Sequence, residues 1–153
     1  EITAIPDKST PLAEETRLLI NFKQIFTVLT GNAAQKYGDK LDKHQQLLLA
    51  LADILIEIYF TESGILRTLK NCDRFGVDSQ KIQIAMTKAY LYEATDTIAR
   101  KGKEIILNMC DKEEQKQMMS VLHKKLQYQE WPDLIDLKTQ IADKLIEENK
   151  YCF

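Results

Sequence analysis

Hydrophobic residues are most concentrated between positions 47 and 69, in the stretch LLLALADILIEIYFTESGILRTL. They leave a narrow polar line whose members follow each other at steps of four, four and three residues: Asp53, Glu57, Thr61 and Gly64. This spacing follows one face of an α-helix. Because the rest of the helix surface is apolar, we expect other helices to surround it, which would place it at the centre of the fold.

Residues that favour helix ends divide the chain into five predicted helices. Ser9 or Thr10 is predicted to cap helix one, and Gly38 to end it. Helix two is predicted to end at about residue 71, before a turn over 72–77, and helix three at about residue 109. The remaining boundaries are capping or breaking residues: Asp42 before helix two, Asp78 at the start of helix three, Asp111 before helix four, the Trp131–Pro132 break, and Asp136 before helix five.

Three long helices joined by short turns and completed by two shorter ones predict an all-α fold, an antiparallel up-down helical bundle. The 5 glycines and 3 prolines in 153 residues leave little material for hairpins, which also favours helices. We expect the bundle to occupy residues 11–153. Residues 1–10 are rich in turn formers and are predicted to be a linker.

Composition fits a single globular domain, with 44% apolar and 29% charged residues. The net charge of −2 gives no sign of a nucleic-acid partner. Three widely spaced cysteines favour reduced thiols and a cytoplasmic setting. The first residues do not resemble a signal peptide, and the chain does not begin with methionine, so we expect a piece of a longer polypeptide.

The sequence predicts no catalytic, cofactor-binding or metal-binding residue in this chain. A di-iron bundle would need Glu-x-x-His pairs, but the residues three positions before His44 and His123 are Leu41 and Ser120. The glycines are isolated, so no phosphate-binding loop is indicated. Carboxylates such as those of Asp53 and Glu57 could ligate a metal, but a polar helix face is the more economical interpretation.

Asp53, Glu57 and Arg67 are candidates for polar contacts between helices. Arg67 is poorly spaced for an ion pair within its own helix, so we expect it to reach helix three, at Glu93 or Asp96. Whether the line of Asp53 and Glu57 faces water or bridges two helices is left open by the sequence.

Four stretches together resemble the C-terminal helical domain of the extended acyl-CoA dehydrogenases, which are bacterial enzymes and the very-long-chain acyl-CoA dehydrogenases. These stretches are residues 13–41, 51–70, 86–106 and 141–153. The resemblance implies a parent FAD-dependent enzyme that introduces a 2,3 double bond into an acyl-CoA thioester. The flavin, the acyl-CoA pocket and the glutamate base would then lie in the preceding domains, so FAD is expected in the parent and not here.

The resemblance also implies an accessory and oligomerisation role. The domain would pack on its own upstream dehydrogenase domains and at a homodimer interface, with Trp131, Tyr151, Cys152 and Phe153 as candidate interface residues. The very-long-chain branch is linked to membrane association, but this chain lacks a long basic amphipathic segment, which argues against membrane contact. Two other hypotheses are a stand-alone helical protein-binding module with a groove for a partner helix, and a small bundle enzyme or metalloprotein.

Overall fold

The chain, seen in a computed structural model, is built from helices, and the structure describes residues 2–4, 7 and 10–150. The predictions for Ser9, Tyr151, Cys152 and Phe153 lie outside the described residues. Two short 3-10 helices precede the second and third α-helices, at Gly38–Lys43 and Val77–Gln80. The five α-helices are α1 Ala13–Tyr37, α2 Gln45–Phe75, α3 Lys81–Met109, α4 Lys112–Leu126 and α5 Leu134–Glu148. The described residues contain no strand, which confirms the all-α prediction.

Side-chain contacts show that α2 and α3 run antiparallel. Asp53 pairs with Lys101 near one end, and the Thr68 and Thr87 hydroxyls lie 2.8 Å apart near the other. The core lies between α1, α2 and α3 and consists mainly of branched aliphatic side chains around Phe22. Helix α4 packs on α1 and α3, and α5 packs on α3. Gly102 lets α4 approach closely, because a Cβ there would lie 3.0 Å from Leu122 Cδ1.

The first two helices begin later than the sequence predicted. Pro11 and Leu12 form a turn, with Leu12 in the left-handed region at φ 61°, so α1 starts at Ala13 and the prediction of a Thr10 cap is wrong. Asp42 lies within the 3-10 helix, and His44 occupies the capping position of α2 instead. The Tyr37 and His44 rings contact each other across this turn, with their centroids 3.8 Å apart.

The later boundaries are partly as predicted. Helix α2 continues through 72–75 and ends at Gly76, whose φ of 83° suits glycine. Asp78 falls in the 3-10 helix before α3, so it does not open α3. The Asp111 cap is confirmed, since its carboxylate accepts the backbone N–H groups of the first turn of α4. Helix α5 is capped by Asp133 rather than Asp136, which is itself a first-turn residue.

The prediction that other helices surround α2 is wrong. One side faces α1 and α3 and buries residues such as Ile54 and Ile65, both 0% exposed. The other side is uncovered, because α4 and α5 pack on α1 and α3 and do not reach α2. Seven large apolar side chains on that side are between 37% and 66% exposed, and we call them the apolar strip: Leu48, Leu49, Leu55, Ile56, Tyr59, Phe60 and Leu66.

Candidate protein interface

The apolar strip is long and uncharged. From residue 48 to residue 66 it extends about 27 Å along the helix axis, at a rise of 1.5 Å per residue. The other exposed positions of α2 within this range are Ala52 and Ser63, so no charge interrupts the surface. A helix face of this length and about 10–12 Å width offers a few hundred Å², close to the size of the largest apolar patch on a typical monomeric protein, and such patches are often functional. The strip is therefore the feature of the described chain that most needs a functional explanation.

Polar contacts border the strip on its α1 side. Lys23 Nζ lies 2.8 Å from Glu62 Oε1, and the Ile2 N–H donates to the same oxygen at 2.6 Å. Partial burial disfavours the charged carboxylate, but the Lys23 ammonium and the Ile2 amide together hold the pKa of Glu62 below its usual value. Lys23 Nζ also donates to the Ile2 carbonyl at 3.1 Å. These contacts fix the first described residue beside the strip.

Polar contacts also border the strip on its α3 side, where the sequence left the role of Asp53 and Glu57 open. Lys101 Nζ lies 2.8 Å from Asp53 Oδ2, and this contact raises the pKa of Lys101. The Tyr90 hydroxyl donates to Glu57 Oε2 at 2.8 Å. Burial, and then the Glu57 carboxylate, raise the pKa of Tyr90 to about 12. The polar line therefore bridges α2 and α3.

Arg67 does not make the predicted contact with α3. Its neighbour Thr68 meets Thr87, so Arg67 lies more than one helical turn from the level of Glu93 or Asp96. Glu93 pairs with Lys138 of α5 instead, at 2.6 Å. The predicted partner was wrong, because the register between α2 and α3 brings Arg67 to the level of Thr87 and not to that of Glu93 or Asp96.

We expect Glu57→Leu to lower the free energy of unfolding by about 1 kcal/mol, the usual worth of one hydrogen bond. Tyr90→Phe should lower it by a similar amount, since it removes the other partner of the same bond. The double variant should then cost less than the sum of the two single changes. Urea unfolding of the four proteins gives the coupling energy. Additive effects would show that the Tyr90–Glu57 contact does not stabilise the fold.

Trp131 lies in an aromatic cluster at the connection between α4 and α5. Its ring centroid is 5.1 Å from that of Tyr128 and 6.4 Å from that of Tyr92. Tyr128 is buried, whereas Trp131 is 65% exposed. Its exposure is compatible with the interface role expected from the sequence, and that role stays a prediction.

Glu15 is a buried carboxylate that was not predicted as a candidate from the sequence. It is 4% exposed, and the only cation within ion-pair distance in the described chain is Lys88, at 4.0 Å. Burial raises the pKa of Glu15, and the Lys88 ammonium opposes that rise without cancelling it. A signal was available: Glu15 precedes Leu18, Leu19 and Phe22 at helical spacing, so it lies on the core-facing side of α1.

Glu15→Gln is expected to raise the melting midpoint near neutral pH and to change it little near pH 4. With its raised pKa, the folded protein holds this proton to higher pH than the unfolded chain does. Stability therefore falls as pH rises from the unfolded pKa through the folded one, and the variant lacks this loss. Thermal melts across this pH range measure the difference. A lower midpoint for the variant at neutral pH would mean that the Lys88 contact outweighs burial.

The described residues offer little for catalysis or metal binding. No group of three or more His, Cys, Asp or Glu residues within them is placed to hold a metal ion. Burial raises the pKa of the Cys72 and Cys110 thiols, which is the opposite of what a nucleophilic thiolate needs. In the described part of the chain, no helix has both the length and the apolar character needed to cross a membrane.

Two clefts lie beside α4. An apolar cleft of about 300 Å³ between α1, α3 and α4 is lined by Val28, Val121 and their neighbours. A larger cleft of about 610 Å³ reaches the N-terminus of α4, where a pyrophosphate would bind best. Asp111 and Glu114 already fill that terminus with carboxylates. The larger cleft therefore offers no free helix N-terminus for the pyrophosphate of FAD.

Comparisons with known proteins agree with this domain-level description. The family model described as acyl-CoA dehydrogenase, C-terminal domain, matches residues 21–124. A probable acyl-CoA dehydrogenase of Bacillus subtilis (strain 168) is 31% identical over 140 residues, which is 92% of this chain and 23% of that protein. The crystal structure of an acyl-CoA dehydrogenase complexed with FAD from Bacillus anthracis superposes with a TM-score of 0.90 at 33% identity, covering 97% of this chain and 26% of that one.

These matches assign the helical bundle to a family. The chain belongs to the acyl-CoA dehydrogenase C-terminal domain family. It spans about a quarter of the length of the relatives that it matches.

Proposed function

We propose that this chain is the non-catalytic C-terminal domain of an FAD-dependent acyl-CoA dehydrogenase that oxidises an acyl-CoA to a 2-enoyl-CoA. The observation that carries the proposal is the match over nearly the whole chain to one quarter of an FAD-complexed acyl-CoA dehydrogenase. In the parent protein, the domain packs on the upstream dehydrogenase domains and contributes to a homodimer. The parent is a cytoplasmic bacterial enzyme of fatty-acid oxidation.

The physical chemistry of the chain supports an accessory role. Its polar contacts between helices, such as Tyr90–Glu57 and Lys101–Asp53, join α2 to α3. Its most unusual surface is apolar and uncharged, as expected of a domain that is covered by a larger body. The same surface could serve a stand-alone binding module, so the test must separate the two functions.

The test compares the protein from the full reading frame with the 153-residue chain. The full-length protein is expected to purify with visible flavin absorbance, which an acyl-CoA should bleach as the flavin is reduced. The chain alone is expected to show neither property when FAD and an acyl-CoA are supplied. Turnover by the chain alone would contradict the accessory role. A full-length protein that binds no flavin would favour the stand-alone binding module.

A further inference from the structure

We propose that the apolar cleft between α1, α3 and α4 binds an alkyl carboxylate, a single hydrocarbon chain of about ten carbons that ends in a carboxylate. The proposal goes beyond the proposed function and does not depend on it. The cleft has a volume of about 300 Å³, which lies within the range of small-molecule sites. An apolar cavity of about 150 Å³ can hold benzene, so this cleft can hold about ten to twelve carbon atoms.

The floor of the cleft is apolar and well shielded from water. Four buried side chains form it: Ile25, Leu29, Ile106 and Leu122. Val28 of α1 and Val121 of α4 line its rim, and both are half-exposed. Because a hydrocarbon chain in the cleft would cover these valines and leave water itself, the hydrophobic effect favours its binding.

Contacts on both sides of α4 hold the cleft open. The Asn21 Nδ2 group on α1 donates to the Lys125 carbonyl at 2.8 Å. On the α3 side, Leu122 packs directly on Gly102, where a Cβ would lie 3.0 Å from Leu122 Cδ1. Helix α4 is therefore fixed against both neighbours, and the site is largely formed before a ligand arrives, as is usual for small-molecule sites.

The charge at the rim selects an anionic head group. Of the described residues that line the cleft, Lys125 alone is charged. Its ammonium donates to the side-chain oxygen of Gln24, and no carboxylate of the described residues lies within ion-pair distance of it. Hydrogen bonds between an ammonium and a carboxylate are stronger than those to a neutral amide. A carboxylate at the rim is therefore a better partner for Lys125 than Gln24 is.

The helices that wall the cleft also favour an anion. Residues 16–37 of α1 and 115–126 of α4 include no Asp or Glu, although the whole chain has 23 acidic residues and a net charge of −2. On α3, the carboxylate nearest in sequence to Ile106 is Glu104, which pairs with Arg100 at 3.3 Å and Lys101 at 3.5 Å. The local charge is therefore positive, in contrast to that of the chain as a whole.

The first test is a calorimetric titration of the 153-residue chain with hexanoate, octanoate and decanoate at neutral pH. Each added methylene should tighten binding by about three- to fourfold, the usual effect of burying one such group. The gain should end at about twelve carbons, where the cleft is full. Decyltrimethylammonium, which has the same chain length and the opposite charge, should bind at least about tenfold more weakly than decanoate.

The second test uses two pairs of matched variants. Lys125→Gln should weaken decanoate binding by about five- to tenfold, whereas Lys124→Gln, the same change at the next residue, should leave it within about twofold. Val121→Trp fills the cleft and should abolish binding. Its control, Val77→Trp, changes a half-exposed valine in the 3-10 helix before α3 and should have no effect. All four variants should melt as the unchanged chain does.

A third test locates the ligand in the full-length protein. Decanoate with a diazirine at its chain end is expected to label residues 25–29 or 118–122 after illumination, and unlabelled decanoate should compete. Three results would overturn the proposal. One is an affinity that does not change from hexanoate to decanoate. Another is equal weakening by Lys124→Gln and Lys125→Gln, which would indicate unspecific attraction to a basic surface. The third is a full-length protein without label in α1 and α4.

Discussion

Replacing Ile54 by alanine is expected to lower the free energy of unfolding by about 2–5 kcal/mol, whereas Ile56→Ala should change it by no more than about 0.5 kcal/mol. The two residues lie two positions apart on α2 and carry the same side chain. Ile54 is fully buried against the core, so its truncation leaves a cavity between close-packed neighbours. Ile56 is 51% exposed in the apolar strip, and its truncation removes contacts that are mostly with water.

Urea unfolding of the 153-residue chain at two protein concentrations measures both effects. The unchanged chain and Ile54→Val serve as controls, and the valine should cost only about 0.5–1.5 kcal/mol. Equal losses for Ile54→Ala and Ile56→Ala, independent of concentration, would mean that α2 is surrounded after all. An Ile56→Ala loss that grows with protein concentration would point to self-association through the strip.

The sequence could not predict that Ile54 is buried whereas Ile56 is exposed. Apolar spacing correctly predicted that residues 47–69 are helical and rich in contact surface. Side chains that are buried in a core and side chains that are buried by a partner are both apolar. In the sequence, the two surfaces therefore appear together as one wide apolar face. Which face is covered depends on where α4 and α5 pack, and nothing within α2 records that. The predicted central helix is therefore a helix with one buried face and one open face.

Helix ends were predicted correctly where a single local residue is suited to cap the helix. Asp111 is followed three residues later by Glu114, and the resulting capping box is present. Gly38 follows the end of α1 as predicted and has a positive φ, whereas α2, predicted to end at about residue 71, continues to Phe75 before Gly76. The start of α5 was ambiguous, because Asp133 and Asp136 are both good caps, and the sequence alone favoured the wrong one.

The sequence predicted positions that make polar contacts between helices, but it did not predict which residues pair. Asp53 and Glu57 do bridge α2 and α3, but their partners, Lys101 and Tyr90, depend on the register between the two helices. A shift of one turn moves a partner by about 5.4 Å, which is more than a salt bridge tolerates. Arg67 shows the same limit, since it lies at the level of residues that offer it no carboxylate.

The second large effect is expected at Tyr128. Tyr128→Ala should lower the free energy of unfolding by about 3–5 kcal/mol, as truncation of a buried aromatic residue does. The ring is 4% exposed and packs between Tyr92 and Trp131. The flanking backbone is held to α1, because Arg17 donates to the Gln127 carbonyl at 2.8 Å. Loss of the ring should therefore loosen the connection between α4 and α5.

Trp131→Ala should cost the 153-residue chain far less, about 0.5–1.5 kcal/mol for the lost ring contacts of an exposed side chain. Tyr128→Phe keeps the ring and is the control for Tyr128→Ala. Thermal and urea unfolding of the three variants, repeated in the full-length protein, separate internal packing from interface contacts. A Trp131→Ala loss that is larger in the full-length protein supports the predicted interface role. A loss equal to that of Tyr128→Ala in the chain alone would assign Trp131 to the core, because a ring that already supports the fold is not free to serve a partner.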